Sequence, residues 1–249
     1  MPNFFHQSFK LFLLILFFVW SCHSPYFIAK KNYDLTGINN VQNDDSIVVK
    51  MIQPYHDSLQ GKMNQVISFS RVTLKKEQPE GALGNLVCDL IMQHYSVLHP
   101  DLCVVNNGGL RIPQISAGDI TMGKIYELMP FDNGMMLLYV NGKQLQQLFE
   151  KIASKNGWPV SGGVSLQIQK NKLISAYLQG EEINETKTYK LIVSDYLANG
   201  GDDCIMLKGA PHEDLKELFR DVLIHELKQK QLKNEKIAAT IEGRIVEIK

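Results

Sequence analysis

The sequence predicts a single domain of mixed α/β (α+β) class, and three observations carry that prediction. Segments with helically spaced apolar residues alternate along the chain with short apolar runs of strand length. No segment repeats another, and no second polar linker divides the chain after residue 45. At 249 residues the length suits one substantial domain or two small ones, since roughly 100–200 residues per domain is usual.

The first residues stand outside that domain. Lys10 precedes a continuously apolar run, LFLLILFFVW, from Leu11 to Trp20. This is about half the roughly 20 residues that a membrane-spanning helix needs. A short apolar core behind a positive residue, ending at small residues, reads as an export signal over residues 1–21. Ser21 directly before Cys22 resembles the bacterial lipoprotein signal, in which cleavage frees the cysteine for lipid attachment, although Trp20 is atypical there. The alternative is a conventional secretory signal with an incidental cysteine. Either way the mature chain leaves the cytoplasm; on the first reading it is a lipoprotein on a bacterial membrane, periplasmic or at the cell surface. Residues 22–45, ending in NNVQNDD, are polar and aperiodic and suit a tether to a domain over residues 46–249.

Within the domain each element has a local cause. The stretch from Ser46 reads as a helix interrupted near Pro54, because proline cannot donate the helical hydrogen bond. Leu59, Met63 and Val66 continue the helical spacing, and SFSRVTL resembles a strand. Leu83, Leu86, Val87, Leu90, Ile91 and Leu98 make an amphipathic helix that begins near Gly84. LCVVNNGG is a short strand that ends in a glycine turn. MMLLYVNGKQLQQLFEKIA is a strand, an Asn-Gly turn and a helix with Leu145, Leu148, Phe149 and Ile152 on one face. Val164–Ile168 and Leu173–Leu178 flank QKNK as a hairpin, and Tyr189–Val193 is a further strand. Leu215, Leu218, Phe219, Val222 and Leu223 predict a last amphipathic helix, and RIVEI a closing strand.

Composition removes several function classes. Lys and Arg number 26, as do Asp and Glu, so the formal charge is zero, against a general binder of nucleic acid or anionic membrane. Apart from Cys22 the cysteines are Cys88, Cys103 and Cys204, without a C-x-x-C spacing, so a cysteine zinc site is not expected. The seven histidines stand alone, with no H-E-x-x-H and no acid–histidine cluster at metal spacing. No G-x-S-x-G elbow and no phosphate loop occurs.

Three loops remain. In VVNNGGLR, asparagine and glycine tolerate a sharp turn that aims Arg111 and an asparagine amide into one space. A guanidinium reads phosphate or carboxylate by paired hydrogen bonds; the plain alternative is a tight turn with its arginine in solvent. In ELMPFDNG, Phe131 follows Pro130 and is either a core plug or a platform for a flat ligand. In DYLANGGDD, two glycines set a bend between Tyr196 and Asp202. Spacing alone does not show that Phe131 and Tyr196 face each other.

The segments GNLVCDLI, VVNNGGLR, AGDITMGKIYELMPFDN, YLANGGDD and EGRI occur in the order found in the carboxy-terminal domain of 5′-nucleotidases. The chain resembles that family from about Gly84 to Ile245. The resemblance implies a mixed β-sheet flanked by helices, and a domain that binds the nucleoside part of a nucleotide. It assigns the two aromatic faces that sandwich the base to Phe131 and Tyr196. It implies that Asn106 bonds to the base, Arg111 approaches ribose or phosphate, and Asp202 takes the ribose hydroxyls. A carboxylate can accept both hydrogens of a vicinal diol. Cys88 and Cys103 match positions that some members join by a disulfide, which leaves Cys204 free. Two departures bear on the grip. Where the family commonly has an arginine before the Gly-Asn helix, this chain has Gln78-Pro79-Glu80, and Cys204 stands where an aromatic is frequent.

A complete enzyme of the family adds an amino-terminal metallophosphatase domain, whose Asp-x-His, Asn-His-Asp/Glu and Gly-His-x-His motifs hold two metals that activate water. None of these motifs is in this sequence. The expected function is therefore the nucleotide-recognition part of a 5′-nucleotidase-type hydrolase, acting with a separate metallophosphatase chain. No catalytic residue and no cofactor are expected in this chain, and the divalent metals are expected on the partner. The alternative is a stand-alone cell-surface protein that binds nucleosides or nucleotides.

Overall fold

Helices and strands alternate along the chain in the computed structural model, which describes residues 46–248. The expected export signal, the Cys22 lipid site and the tether lie outside the described residues. The elements begin α1 (Ser46–Met63), β1 (Val66–Ser70), β2 (Leu74–Lys75), α2 (Ala82–His94), β3 (Leu102–Cys103), β4 (Gln114–Ile115), β5 (Gly118–Thr121) and α3 (Met122–Leu128). They continue with β6 (Gly134–Asn141), α4 (Gly142–Ser154), β7 (Val164–Gln169), β8 (Lys172–Leu178), β9 (Glu181–Glu182) and β10 (Thr188–Ser194). Last come α5 (Asp195–Ala198), β11 (His212–Leu218), α6 (Phe219–Leu232) and β12 (Ile245–Glu247).

Two mixed four-stranded sheets organise the unit Lys50–Lys249. The first has the order β11-β6-β10-β3, with β3 parallel to β10 and the other pairs antiparallel. The second has the order β12-β7-β8-β9, with β12 parallel to β7. In β6, Met135 and Leu137 enter one core with Leu86 and Leu90 of α2 and Leu223 and Leu227 of α6. Leu138 and Val140 enter a second core with Leu145, Leu148 and Phe149 of α4 and Leu166 and Ile168 of β7. β10 divides its side chains likewise, Ile192 into the first core and Leu191 and Val193 into the second. Burial on both faces is why these strands read as unbroken apolar runs rather than as alternation.

Topology then fixes where the loops lie. Because β3 and β10 are parallel, both end at the same sheet edge, and antiparallel β6 begins there, with Met135 opposite Ser194. The segments after β3, before β6 and after β10 therefore open on one edge. These are the three loops singled out in the sequence.

Several local expectations hold with sharper detail. QKNK is a two-residue hairpin turn, with Gln169 opposite Lys172 and positive φ at both Lys170 and Asn171 (48° and 61°). Positive φ at both central residues matches strand twist. Asn141 does not make a separate turn but caps α4, its side chain accepting from Gln144 N while the Gln144 side chain accepts from Asn141 N. Other expectations are corrected. α1 passes through Pro54 without a break and buries none of its residues, so water can take the carbonyl that proline leaves unbonded. Val66 belongs to β1, and Leu98 to a short 3-10 turn, Ser96–Leu98, rather than to the helices before them. Leu215 and Leu218 lie on a strand, because β11 pairs with β6 from His212↔Leu138 to Leu218↔Gly134 and only then does the helix begin.

The Cys88–Cys103 disulfide is not formed in the structure, where Cys88, Cys103 and Cys204 are buried free thiols. The first two are nonetheless neighbours: burial, followed by the adjacent Cys88, pushes the Cys103 thiol well above its ordinary range. Closing this span between residues 88 and 103 by oxidation is expected to stabilise the fold by about 3 kcal/mol, from the chain entropy of a loop of that length. Peptide mapping with and without reductant, alongside denaturant unfolding, checks this. Two alkylatable thiols at positions 88 and 103 after full air oxidation would refute it.

Two of the family-like motifs turn out to be structural. Glu80 Oε1 accepts from Asn85 Nδ2 at 2.6 Å and from Glu242 N at 2.7 Å. Arg244 meets Asp89 through two hydrogen bonds, of 2.8 and 2.6 Å, and also reaches Glu242 and the Val160 carbonyl. GNLVCDLI and EGRI thus form a latch that fastens the chain's end to α2, and they do not line the cavity described next.

Candidate functional site

The first loop leaves β3 and passes through a 3-10 turn, Asn107–Gly109. Its backbone does not use the positive φ that the residue types allow; Asn106 has φ −71°. Gly109 is there for clearance instead, since a Cβ would stand 2.9 Å from Asn106 Oδ1. Lys76 braces the turn from β2's end, with Nζ donating to the carbonyls of Asn107 at 3.1 Å and Leu110 at 2.8 Å. Burial, and then the nearby Arg111 charge, lowers the Lys76 pKa. Arg111 itself is exposed, donates to the Gly108 carbonyl at 3.4 Å, and places its guanidinium carbon 5.5 Å from the centre of the Phe131 ring.

The second loop is set by Arg220, whose side chain is 8 % exposed. It donates to the Met129 and Phe131 carbonyls at 3.2 and 3.3 Å, pairs with Asp132 at 2.6 Å, and lies over the Tyr126 ring at 4.3 Å. With its backbone held in this way, Phe131 is no core plug; it is 43 % exposed. Asn133 Nδ2 donates to Asp195 Oδ1 at 3.0 Å, which joins this loop to the third.

In the third loop Ser194 caps the single turn α5, and Gly200 turns the chain with φ +91°. Asp202 follows at φ 51°, a left-handed conformation that aspartate tolerates better than most residues. Its carboxylate is held twice, by Asn106 Nδ2 at 2.6 Å and by the Tyr196 hydroxyl at 3.0 Å. The Asp202 hydrogen bond raises the Tyr196 pKa, so the phenol stays a donor across the neutral range. A Cβ on Gly201 would stand 2.5 Å from the Tyr196 ring, so glycine at 201 lets the backbone lie against that ring.

These loops enclose one cavity of about 390 Å³, within the ~300–1,000 Å³ of ordinary small-molecule sites. Asn106, Arg111, Phe131, Tyr196 and Asp202 all line it. All five sequence-predicted residues are thus brought together from loops far apart in the chain. The Phe131 and Tyr196 rings do not touch each other, and Tyr196 is 45 % exposed. A carboxylate has about four lone-pair sites, so Asp202 keeps acceptor capacity beyond its two partners. Sequence reasoning missed Asn133, Ser194 and Phe219 in the lining, and Lys76 and Arg220 behind it. Asn133 sits inside a motif already singled out. An arginine between the core positions Phe219 and Val222 was the signal for Arg220. Gln78 gives nothing to the cavity; its amide donates to the Lys155 and Gly157 carbonyls.

Fold and cavity define an α/β module with a ligand-sized site on the loops at one sheet edge. The chain belongs to the family described as 5′-nucleotidase, C-terminal domain, whose model matches residues 60–209. It is 27 % identical over 240 residues to the snake venom 5′-nucleotidase of Macrovipera lebetinus, covering 81 % of this chain and 57 % of that protein. It is 30 % identical over 206 residues to the snake venom 5′-nucleotidase of Gloydius brevicauda, covering 68 % and 34 %. The crystal structure of a 5′-nucleotidase precursor from Thermus thermophilus shares the fold with a TM-score of 0.72 at 24 % identity, over 81 % of this chain and 43 % of that one. The chain thus spans little more than half of the first of these venom proteins and about a third of the second. Among the described residues no helix is long and apolar enough to cross a membrane.

Proposed function

We propose that the cavity binds the nucleoside part of a nucleotide, and that the chain is the substrate-recognition part of a 5′-nucleotidase-type hydrolase. The observation that carries this reading is the convergence of Asn106, Arg111, Phe131, Tyr196 and Asp202 on one cavity. The base lies between the Phe131 and Tyr196 rings, with Asn106 on its edge. Asp202 accepts from the ribose diol, and Arg111, on the exposed side, faces the phosphate end. Phosphoryl chemistry comes from a separate metallophosphatase chain whose two metals polarise the phosphate and activate water. Export and attachment of lipid at Cys22 belong to the same proposal, and mass spectrometry of the mature amino terminus tests them.

The split arrangement is tested by assaying AMP hydrolysis with a divalent metal for this chain, for a lone metallophosphatase and for their mixture. The mixture is expected to exceed the sum of its parts; equal rates for mixture and phosphatase alone rule the partnership out. A second check addresses the clamp. Gly201→Ala drives a methyl group into the Tyr196 ring, and is expected to weaken adenosine binding about tenfold, within the ~1–3 kcal/mol attributed to one base stack. Unchanged affinity by calorimetry would show that Tyr196 does not stack on the ligand.

A further inference from the structure

The structure gathers a cluster that sequence spacing does not reveal. His94 ends α2, His225 and Glu226 lie in α6, and Glu217 lies on β11. His94 Nδ1 is 2.9 Å from Glu226 Oε1, and His94 Nε2 is 3.1 Å from Glu217 Oε2. His225 Nε2 stands 3.8 Å from the same Glu226 oxygen, too far for a hydrogen bond. The two imidazole rings are 5.2 Å apart at 76°. Glu226 and His94 are largely buried, at 7 % and 15 % side-chain exposure, while His225 and Glu217 reach solvent at 54 % and 45 %. None of the four lines the cavity described above.

We propose that this cluster binds one divalent ion of the zinc class, with His94 Nδ1, His225 Nε2 and Glu226 as ligands. One donor atom from each of these residues lies within 4.8 Å of the others. The contacts of 2.9 and 3.8 Å to the Glu226 oxygen bracket the ~3.3 Å between ligands of a tetrahedral zinc at ordinary bond lengths. Two imidazoles and a carboxylate suit zinc, cobalt or nickel rather than magnesium or calcium, which prefer all-oxygen sets. Glu217 completes the arrangement, because it accepts from the other nitrogen of His94 and so orients the ring and fixes its tautomer. Charge points the same way. Two carboxylates face the pair of imidazoles, and the carboxyl end of α2, where carbonyl dipoles favour a cation, is at His94. Three protein ligands leave a fourth position open on the solvent side for water. Bound there, the ion ties α2 to α6, two helices of one core.

The test is calorimetric titration of the metal-stripped full chain with zinc chloride. One zinc per chain is expected. His225→Ala, at an exposed position that the fold does not need, is expected to lower affinity at least a hundredfold. Glu217→Gln is expected to lower it about 10–100-fold through the orientation of His94. Tyr196→Ala is expected to leave it unchanged. Absence of stoichiometric zinc binding, or equal affinity in the His225→Ala chain, overturns the proposal and leaves the cluster as a histidine hydrogen-bonded between two glutamates.

Discussion

Tyr196→Ala is expected to weaken adenosine binding by about 5- to 150-fold, the range of ~1–3 kcal/mol for removing one stacking face from a base. The expectation rests on how the ring is held rather than on its presence alone. Gly201 lies against the ring, and the hydroxyl is bonded to Asp202. Little conformational freedom therefore remains to be lost when a base arrives. The substitution also removes one of two supports of the Asp202 carboxylate, so the measured loss contains a ribose contribution. Tyr196→Phe separates the two. It keeps the stacking face and removes the hydroxyl, and is expected to fall between wild type and Tyr196→Ala in a titration. A Phe variant as weak as the Ala variant would place the effect in the hydroxyl and not in stacking.

The second large effect is on stability. Arg244→Ala is expected to destabilise the fold by about 3 kcal/mol, toward the lower end of what breaking a buried charge pair costs. The arginine side chain is 4 % exposed and joins Asp89, Glu242 and the Val160 carbonyl at once. Asp89 keeps 45 % of its side chain in solvent, so its abandoned charge is partly rehydrated, which holds the cost down. Denaturant unfolding gives the number. Nucleoside affinity measured well below the transition is expected to be unchanged, because the latch and the cavity share no residue. A loss of affinity without a loss of stability would place Arg244 in the binding apparatus instead.

Much of this is legible in the sequence. The cavity residues are visible because residue order in the three loops carries the family pattern. The central strands are visible because burial on both faces gives unbroken apolar runs. What cannot be read has physical causes. Leu215 and Leu218 have helical spacing, yet the free edge of β6 draws their segment into a strand, pairing Leu218 with Gly134 and leaving Leu215 in the bulge after Asp214, so tertiary pairing overrides a local period. Pro54 has the pattern of a break, but its missing donor matters only where the orphaned carbonyl is buried, and α1 buries nothing. Glycine at 109 suggests conformational freedom and serves as room for Asn106. Arg220 and Lys76 act through carbonyl groups, and backbone acceptors leave no trace in side-chain motifs. His94 and His225 meet only because α2 packs on α6 in the first core.

The central claim is that the cavity between Phe131 and Tyr196 takes a nucleoside. Calorimetric titration of the chain with adenosine, and separately with inorganic phosphate, tests it most directly. Saturable one-to-one binding of adenosine, weakened in Tyr196→Ala and absent for phosphate, is the predicted result. No heat with adenosine, or phosphate binding as tight as adenosine binding, would contradict the account.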